Sequence, residues 1–311
     1  MISDDELAML AATARQILTG SDPGALVAEL TDAGIDPDVR TAGALLAVQG
    51  ELLGRSTLLD AMLGGPDALP GSRVVLPLPG NRLPPARTSA AGVEVDGLIL
   101  VPEGARYLVV HTSSGAVAVP ADGLVLDTVT GLDAELGVAR VRGPLPPGTT
   151  LPGPCWDALV DTATIALAHE LTGVGQRALD IALGHVRERE QFGNPLGVLQ
   201  SVKHRLAGVH VDLEAARAAL GALGPDPGEI DALAVKIAAG HAALGAVAAA
   251  QQLCGAMGFT AEHGLHRTVR RAYLLDALLG SAEDLEIELG ALLAARATVP
   301  VPAARPGGIH A

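Results

Sequence analysis

The chain has 311 residues, of which 49% are hydrophobic and only 2% aromatic, and its 35 acidic and 21 basic residues give a formal net charge of −14. This length and apolar content exclude an intrinsically disordered chain, a collagen-like repeat and a disulfide-stabilised mini-protein, and they allow about two domains. The negative charge argues against nucleic acid or anionic lipid as a partner.

Three blocks with different patterns follow one another along the chain. Residues 1–70 carry apolar residues at helical spacing and predict an N-terminal helical domain. Residues 71–150 contain short β-branched runs separated by Gly, Pro, Asp and Ser, which predict a small antiparallel sheet or barrel. Residues 151–298 are helical by pattern after a Pro- and Gly-rich linker, and residues 299–311 predict a flexible tail. The expected fold is mainly α with a small central β domain.

Four runs in the central block have the strongest strand character. They are Val93–Val95, Leu98–Val101, Tyr107–Val110 and Ala116–Val119. Each is short, rich in β-branched residues and bounded by turn-forming residues, so we expect separate strands.

The most apolar window of the chain runs from Ile237 to Phe259. Lys236 precedes it, and His241 and the pair Gln251-Gln252 interrupt it, so it falls short of the roughly 18 uninterrupted apolar residues of a membrane helix. The window predicts a buried helix and no membrane association. The acidic N-terminus lacks the basic and apolar regions of a signal peptide, so we expect a cytoplasmic protein.

Neither the cysteines nor the histidines show the spacing of a metal site. Cys155 and Cys254 are the only cysteines and lie far apart, and the nine histidines form no paired-ligand motif. We therefore predict no metal site.

The stretch GVGQRA at residues 173–178 fits the Gly-x-Gly-x-x-Gly/Ala pattern of a dinucleotide-binding loop. Such a loop needs a strand before it, whereas helical periodicity continues on both sides. The glycines are better explained by close packing between helices.

Two segments collect the scarce aromatic and basic residues. The first is REREQFGNPLG at residues 187–197, followed by LQSVKHRLA at 199–207, and the second is QQLCGAMGFT at 251–260, followed by LHRTVRRA at 265–272. The only two Phe residues, Phe192 and Phe259, lie in them. A structural interpretation treats each segment as a Gly-capped helix end with Phe packed inside, but it leaves the Gln residues and the Gly-x-x-Gly spacing unexplained.

These two segments, in this order and separation, resemble the C-terminal helical domain of the acyl-CoA dehydrogenase family. The likeness is strong over residues 155–282 and weaker upstream. It implies an acyl-CoA dehydrogenase fold, with N-terminal helices, a reduced β unit and a C-terminal four-helix bundle. It also implies FAD as cofactor, an acyl-CoA substrate that is oxidised between Cα and Cβ, and an electron-transfer flavoprotein as acceptor.

In this family the Arg-x-x-Phe segment of one subunit holds the pyrophosphate and adenosine of an FAD whose ring lies in a neighbouring subunit, and the Gln-x-x-Gly-Gly loop assists. Ala256 replaces the second Gly of that loop. The cofactor-binding residues that the resemblance implies are Arg189, Gln191, Phe192, Gln200, Gln252, Gly255, Ala256 and Ser281.

The family's catalytic glutamate precedes a Gly-Thr pair, and the resemblance places Leu279 at that position, before Gly280-Ser281. Because leucine cannot accept a proton, no catalytic residue is predicted. In a minority branch the base lies at the position of Ala163. The carboxylates that could substitute are Asp161, Asp276, Glu283 and Asp284.

The β unit also lacks the family's segments that contact the flavin ring, and the only Trp, Trp156, lies beyond it. This pattern resembles the degenerate subunit of the heteromeric α2β2 acyl-CoA dehydrogenases of actinobacterial steroid side-chain degradation. The leading hypothesis is a non-catalytic subunit that completes the FAD site of a catalytic partner subunit. The alternatives are a self-sufficient homo-oligomeric acyl-CoA dehydrogenase with an unorthodox base, a binding protein that has lost FAD, and a purely structural helical bundle.

Overall fold

The computed structural model describes residues 3–35, 38–64, 69–89, 92–131 and 133–296. The helices before the β unit are α1 (Asp4–Ile17), α2 (Ala25–Asp32), α3 (Val39–Leu52) and α4 (Leu58–Gly64). The strands of the β unit are β1 (Ser72–Val74), β2 (Leu76–Pro77), β3 (Ala86–Ser89), β4 (Gly92–Ile99), β5 (Tyr107–Thr112), β6 (Gly115–Pro120), β7 (Leu126–Thr128), β8 (Ala139–Pro144) and β9 (Thr149–Leu151). The helices that follow are α5 (Trp156–Glu188), α6 (Gln200–Gly221), α7 (Glu229–Cys254), α8 (Leu265–Ala277) and α9 (Ala282–Ala294). A hairpin of β10 (Glu190–Gln191) and β11 (Asn194–Pro195) separates α5 from α6.

The strands of the β unit form two sheets around a shared core. One sheet has the order β1-β5-β6-β9, with β1 parallel to β5 and the other pairs antiparallel. In the other, β4 pairs with β8 on one side and with β2 and β3 on the opposite side, and β7 extends the sheet beyond β8. Side chains alternate along β5: Leu108 and Val110 belong to the core of the β unit, whereas Val109 belongs to the core that includes the C-terminal helices. The β unit is thus packed against the helical domain.

Two of the predicted strands are one strand in the structure. Val93–Val95 and Leu98–Val101 fall largely within β4, because Asp96 and Gly97, whose types favour a turn, both pair with β8. A Cβ on Gly97 would lie 2.4 Å from the carbonyl oxygen of Leu76, so glycine is needed here for close approach of β2 rather than for a turn. The prediction of two separate strands was wrong at this point.

Helix α5 is central to the C-terminal domain and packs against α3, α6, α7 and α8. A Cβ on Gly173 would lie 1.9 Å from the carbonyl oxygen of Ala47 in α3, and a Cβ on Gly175 would lie 2.6 Å from Leu213 Cδ2 in α6. The stretch at 173–178 lies inside the helix. The interpretation of its glycines as helix-packing residues is therefore confirmed.

Helix α7, continued to Phe259, is long and apolar enough for a membrane span by length and composition alone. However, 61% of its most apolar window is buried inside the protein, and α7 packs against α5, α6, α8 and α9. The Lys236 side chain within it is completely buried. This is the environment of a core helix in a helical domain.

A buried ion network joins the three blocks of the chain. Arg271 in α8 has no exposed surface and forms a salt bridge with Asp133 of the β unit. Its Nη1 donates to Glu170 Oε1 of α5 at 3.0 Å and to the carbonyl oxygen of Gly54, after α3, at 3.1 Å.

The mainly α fold with a central β unit is confirmed, whereas the tail predicted at 299–311 lies outside the described residues.

Candidate functional site

The REQFG segment forms a tight hairpin at the end of α5. Phe192 and Gly193 link β10 to β11 with φ of 53° and 77°, and positive φ at both central residues is typical of a type I′ turn. Positive φ is unfavourable for a bulky aromatic residue. The Phe192 side chain is also 100% exposed, so no packing in the core explains its position. Phe259 is also largely exposed. The structural interpretation of these two aromatic residues as core plugs is therefore wrong.

A cavity of about 610 Å³ lies between the end of α5, the hairpin, the start of α6 and the turn that follows α7. Ligand pockets in proteins are commonly about 300–1,000 Å³, so it is large enough for a nucleotide. The predicted cofactor residues that line it are Arg189, Gln191, Gln252, Gly255 and Ala256. The two sequence segments, more than fifty residues apart in the chain, thus meet at one site.

The groups around this cavity suit a phosphate-bearing ligand. The guanidinium groups of Arg189 and Arg205 can each donate paired hydrogen bonds to phosphate oxygens. Gly255 follows α7 with φ of 58°, and among the described residues no atom lies within 4 Å of the position that a Cβ would take. The open backbone at Gly255 leaves space for a ligand to approach the main chain. The charge and the open backbone of the cavity therefore fit the pyrophosphate of the predicted FAD cofactor.

Three of the predicted cofactor residues do not line this cavity. Gln200 starts α6 nearby and is exposed, and Phe192 projects from the hairpin into solvent. Ser281 is the N-cap of α9: its Oγ accepts a hydrogen bond from the Asp284 backbone N–H. A role for these three residues in cofactor binding stays a prediction.

Some lining residues were missed at the sequence level. Ser201 and Arg205 are four residues apart and so lie on one face of α6, a spacing that was available in LQSVKHRLA. His185 lies one turn before Arg189 and also lines the cavity. Burial lowers the pKa of His185, and the neighbouring His263 and Arg189 lower it further, so its imidazole favours the neutral form.

The position of the family's catalytic glutamate is closed. Leu279 has no exposed surface and adopts a positive φ of 59°, and Gly280 follows with φ of 92°. A Cβ on Gly280 would lie 2.6 Å from Leu285 Cδ2, so this turn requires glycine. Lys236 Nζ donates to the carbonyl oxygens of Asp276, Leu278 and Gly280 at 2.9, 3.3 and 3.3 Å. The turn is therefore held by a buried cation and offers no proton acceptor at Leu279.

Two of the carboxylates that could replace the glutamate already have partners. Asp276 is buried, and its Oδ1 accepts a hydrogen bond from the Ala282 backbone N–H at 3.1 Å at the start of α9. Asp161 forms a salt bridge with Arg82 at 3.1 Å. Burial raises the pKa of both aspartates. Glu283 lies in the exposed first turn of α9, and the alternative base position, Ala163, is buried in α5.

A loop of the β unit covers this region. The Gly80 backbone N–H donates to the Ala277 carbonyl at 2.8 Å, at the end of α8. Trp156 is completely buried, and its indole Nε1 donates to the carbonyl oxygen of Arg82 at 2.7 Å. The Arg82 Cδ lies 3.9 Å from the position of a Cβ on Gly280. The loop therefore lies directly against the turn where the catalytic residue would be.

Known proteins resemble this chain both in sequence and in fold. The family described as acyl-CoA dehydrogenase, C-terminal domain, matches residues 160–291. The chain is 37% identical over 128 residues to acyl-CoA dehydrogenase IpdE2 of Mycobacterium tuberculosis, covering 41% of this chain and 38% of that protein. It is 28% identical over 208 residues to acyl-CoA dehydrogenase IpdE2 of Mycolicibacterium smegmatis, covering 66% of each chain. The alignments thus span between 38% and 66% of the length of these relatives.

The fold agrees over nearly the whole chain. A variant of the Tcur3481–Tcur3483 steroid ACAD superposes with a TM-score of 0.77 and 26% identity, covering 93% of this chain and 98% of that chain. The sequence match covers the helical domain that holds the cavity, and the structural match extends to the β unit and the N-terminal helices. Residues 160–291 therefore match the C-terminal domain of the acyl-CoA dehydrogenase family, and the chain as a whole has the fold of a steroid acyl-CoA dehydrogenase.

Proposed function

We propose that this chain is the non-catalytic, FAD-completing subunit of a cytoplasmic heteromeric α2β2 acyl-CoA dehydrogenase. Its substrate would be an acyl-CoA thioester with a steroid side chain, its partner a catalytic acyl-CoA dehydrogenase subunit, and its electron acceptor an electron-transfer flavoprotein. The similarity to the Tcur3481–Tcur3483 steroid ACAD supports the steroid substrate and the two-component assembly.

One contrast within the structure carries this proposal. The cavity between α5 and α7 is open and lined by two arginines, whereas the turn around Leu279 is buried and has no ionisable side chain of its own. An enzyme with a complete site of its own needs both a cofactor cavity and a base within reach of the α-proton. This chain has the first and lacks the second at the expected position.

The residues of this chain would act on the part of the cofactor that does no chemistry. Arg189 and Arg205 would neutralise the pyrophosphate, and the Gln191 and Gln252 amides would donate or accept hydrogen bonds at its edges. Gly255 would allow close approach of the main chain. FAD, when bound, supplies the hydride acceptor for desaturation. The proton acceptor would come from the partner subunit.

Co-expression with a candidate catalytic acyl-CoA dehydrogenase subunit from the same genome tests the proposal. We expect a mixed complex on size exclusion that carries the flavin spectrum and oxidises a steroid side-chain CoA thioester. The chain expressed alone, as the control, should be colourless and inactive. A mixed complex without flavin, or a failure to form any complex, would contradict the proposed role.

A self-sufficient enzyme would need a base from this chain, and Asp161 is the candidate carboxylate nearest in sequence to the alternative base position, Ala163. Its carboxylate already pairs with Arg82 at 3.1 Å, so we expect it to hold the loop of the β unit instead. We predict that Asp161→Asn leaves turnover by the mixed complex within about twofold, whereas loss of a general base costs about 10²–10⁴-fold. Steady-state kinetics decide between the two, and a large fall in kcat at unchanged flavin content would favour the self-sufficient enzyme.

A further inference from the structure

Three potential metal ligands from distant parts of the chain meet at one wall of the cavity. His185 lies in the last turn of α5, Cys254 is the last residue of α7, and His263 ends the short 3-10 turn Ala261–His263 before α8. One ligand atom from each of the three side chains lies within 4.8 Å of the other two. His185 and Cys254 also line the cavity.

The local geometry leaves these groups available for a ligand. Cys254 is a free, buried thiol. The rings of His185 and His263 are nearly perpendicular, with centroids 6.3 Å apart, and so do not stack on each other. The Nδ1 atom of His263 is buried and has no hydrogen-bond partner among the described residues. An unpaired buried nitrogen costs free energy unless a ligand satisfies it.

The separation of the three ligand atoms is close to what a tetrahedral ion needs. With Zn–N of about 2.0 Å and Zn–S of about 2.3 Å, ligand atoms in a tetrahedral site lie roughly 3.3–3.7 Å apart. Small side-chain rotations would bring atoms within 4.8 Å of one another to that spacing. Two imidazoles and one thiolate bind Zn²⁺ in preference to Mg²⁺ or Ca²⁺, which prefer oxygen ligands.

We infer that His185, Cys254 and His263 form a binding site for a thiophilic divalent cation such as Zn²⁺, with the fourth coordination position open to the cavity. A thiolate at Cys254 would offset part of the positive charge that the ion brings close to Arg189. A site with three protein ligands and one open position is typical of an exchangeable or reactive ion rather than a purely structural one. The inference does not depend on the proposed role in FAD binding.

Cobalt is a suitable probe because four-coordinate Co²⁺ with a thiolate ligand absorbs strongly in the visible and has a sulfur-to-metal charge-transfer band. The 311-residue chain, freed of metal with a chelator and reduced, is titrated with Co²⁺ and then with Zn²⁺. We expect both absorption features to appear with one Co²⁺ per chain and to disappear when Zn²⁺ displaces it. A spectrum like that of hydrated Co²⁺ throughout would overturn the inference.

Matched variants identify the ligands. Cys254→Ser should abolish the charge-transfer band, and His263→Gln should weaken Co²⁺ binding by at least tenfold. Cys155→Ser, which changes the other thiol, and His266→Gln, three residues beyond His263, should bind as the unchanged chain does. Circular dichroism shows whether each variant is folded. The inference would be overturned if a folded Cys254→Ser chain retained the charge-transfer band. It would also be overturned if only Cys155→Ser lost the band, because the thiolate ligand would then be Cys155.

Discussion

Arg189 is the side chain whose role in cofactor binding the structure supports most directly. It caps α5 in an extended conformation and lines the cavity opposite the turn of Gly255. A charge-assisted hydrogen bond to phosphate is worth about 1.5–3 kcal/mol, so Arg189→Ala should weaken FAD binding by at least about tenfold. FAD titration of the mixed complex, followed by flavin absorbance, measures this loss.

Arg187→Ala is the matched control for Arg189→Ala. Arg187 is exposed two residues earlier on α5 and is not a lining residue of the cavity. Its replacement should leave FAD affinity within about twofold, since the charge it removes is exposed to solvent, does not line the cavity and is screened by water and salt. Equal loss of flavin in the two variants would indicate a general charge effect and would remove the specific role of Arg189.

Asp60 is a largely buried carboxyl, with 12% of its side chain exposed, and its protonation should make stability depend on pH. Its Oδ1 accepts a hydrogen bond from the Val74 backbone N–H at 2.7 Å, and Arg73 Nε lies 3.9 Å away. Burial outweighs these two interactions and raises the pKa of Asp60 to about 7. The folded state then binds more protons than the unfolded state between about pH 4 and pH 7, so the contribution of Asp60 to stability is present at low pH and lost as pH rises through 7.

Asp60→Asn isolates this contribution, because asparagine keeps an acceptor for Val74 and cannot ionise. We expect the free energy of unfolding of the variant, relative to the unchanged chain, to rise between about pH 5 and about pH 8. Urea denaturation of both chains across that range provides the measurement. A stability difference that is constant with pH would show that Asp60 is ionised throughout.

Helix α5 packs closely on its neighbours along one face, so adding a single methyl group by a Gly→Ala substitution should change stability differently on its different faces. A Cβ on Gly173 would collide with the backbone of α3, 1.9 Å from the Ala47 carbonyl oxygen. Because backbone cannot move aside as a flexible side chain can, Gly173→Ala should destabilise the chain by about 1–3 kcal/mol or more.

A Gly→Ala substitution at an exposed position of α5 should have the opposite effect on stability. Among the described residues nothing lies within 4 Å of a Cβ on Gly184. Gly184→Ala should therefore stabilise the helix by about 0.5–1 kcal/mol, because alanine restricts the unfolded chain. Chemical denaturation measures both variants, and a destabilised Gly184→Ala chain would show that the helix is not packed as described.

Periodic elements were predictable, and contacts between distant elements were not. The helical spacing of α5 and the β-branched runs of β5 and β6 depend only on neighbouring residues, and the structure agrees with them. β4 was split in the prediction because Asp96 and Gly97 favour a turn locally, whereas their pairing with β8 depends on residues more than forty positions away. Tertiary pairing overrides local preference in such cases.

The candidate site shows the same division. The resemblance of the two segments to the acyl-CoA dehydrogenase family implied that Arg189 and Gln252 share one ligand, and both line the cavity. The contacts of Lys236 with the turn at Gly280 had no sequence signal, since α7 and the end of α8 meet only in the folded domain. The closeness of His185, Cys254 and His263 likewise has no spacing motif in the chain.

The whole molecule has one buried junction where its three blocks are tied together by charge. Arg271 is fully buried between Asp133 and Glu170, which are 6% and 4% exposed. Removing one member of a buried ion network leaves uncompensated charge and typically costs about 3–5 kcal/mol. Arg271→Met should therefore destabilise the whole chain by this amount, although the methionine fills part of the volume.

The carboxylates left behind decide how that loss depends on pH. Burial raises the pKa of the Glu170 carboxyl and Arg271 lowers it, so without the guanidinium Glu170 would take up a proton in the folded state more readily. The cost of Arg271→Met should therefore shrink as pH falls from about 7 to about 5. Urea denaturation at both pH values measures it, and Arg270→Met, at the exposed neighbouring position, is the control. The network holds the β unit against α5 and α8, so an Arg271→Met chain that unfolds in two steps would show that Arg271 couples the blocks. An Arg271→Met chain as stable as the Arg270→Met chain at neutral pH would show that Arg271 does not couple them.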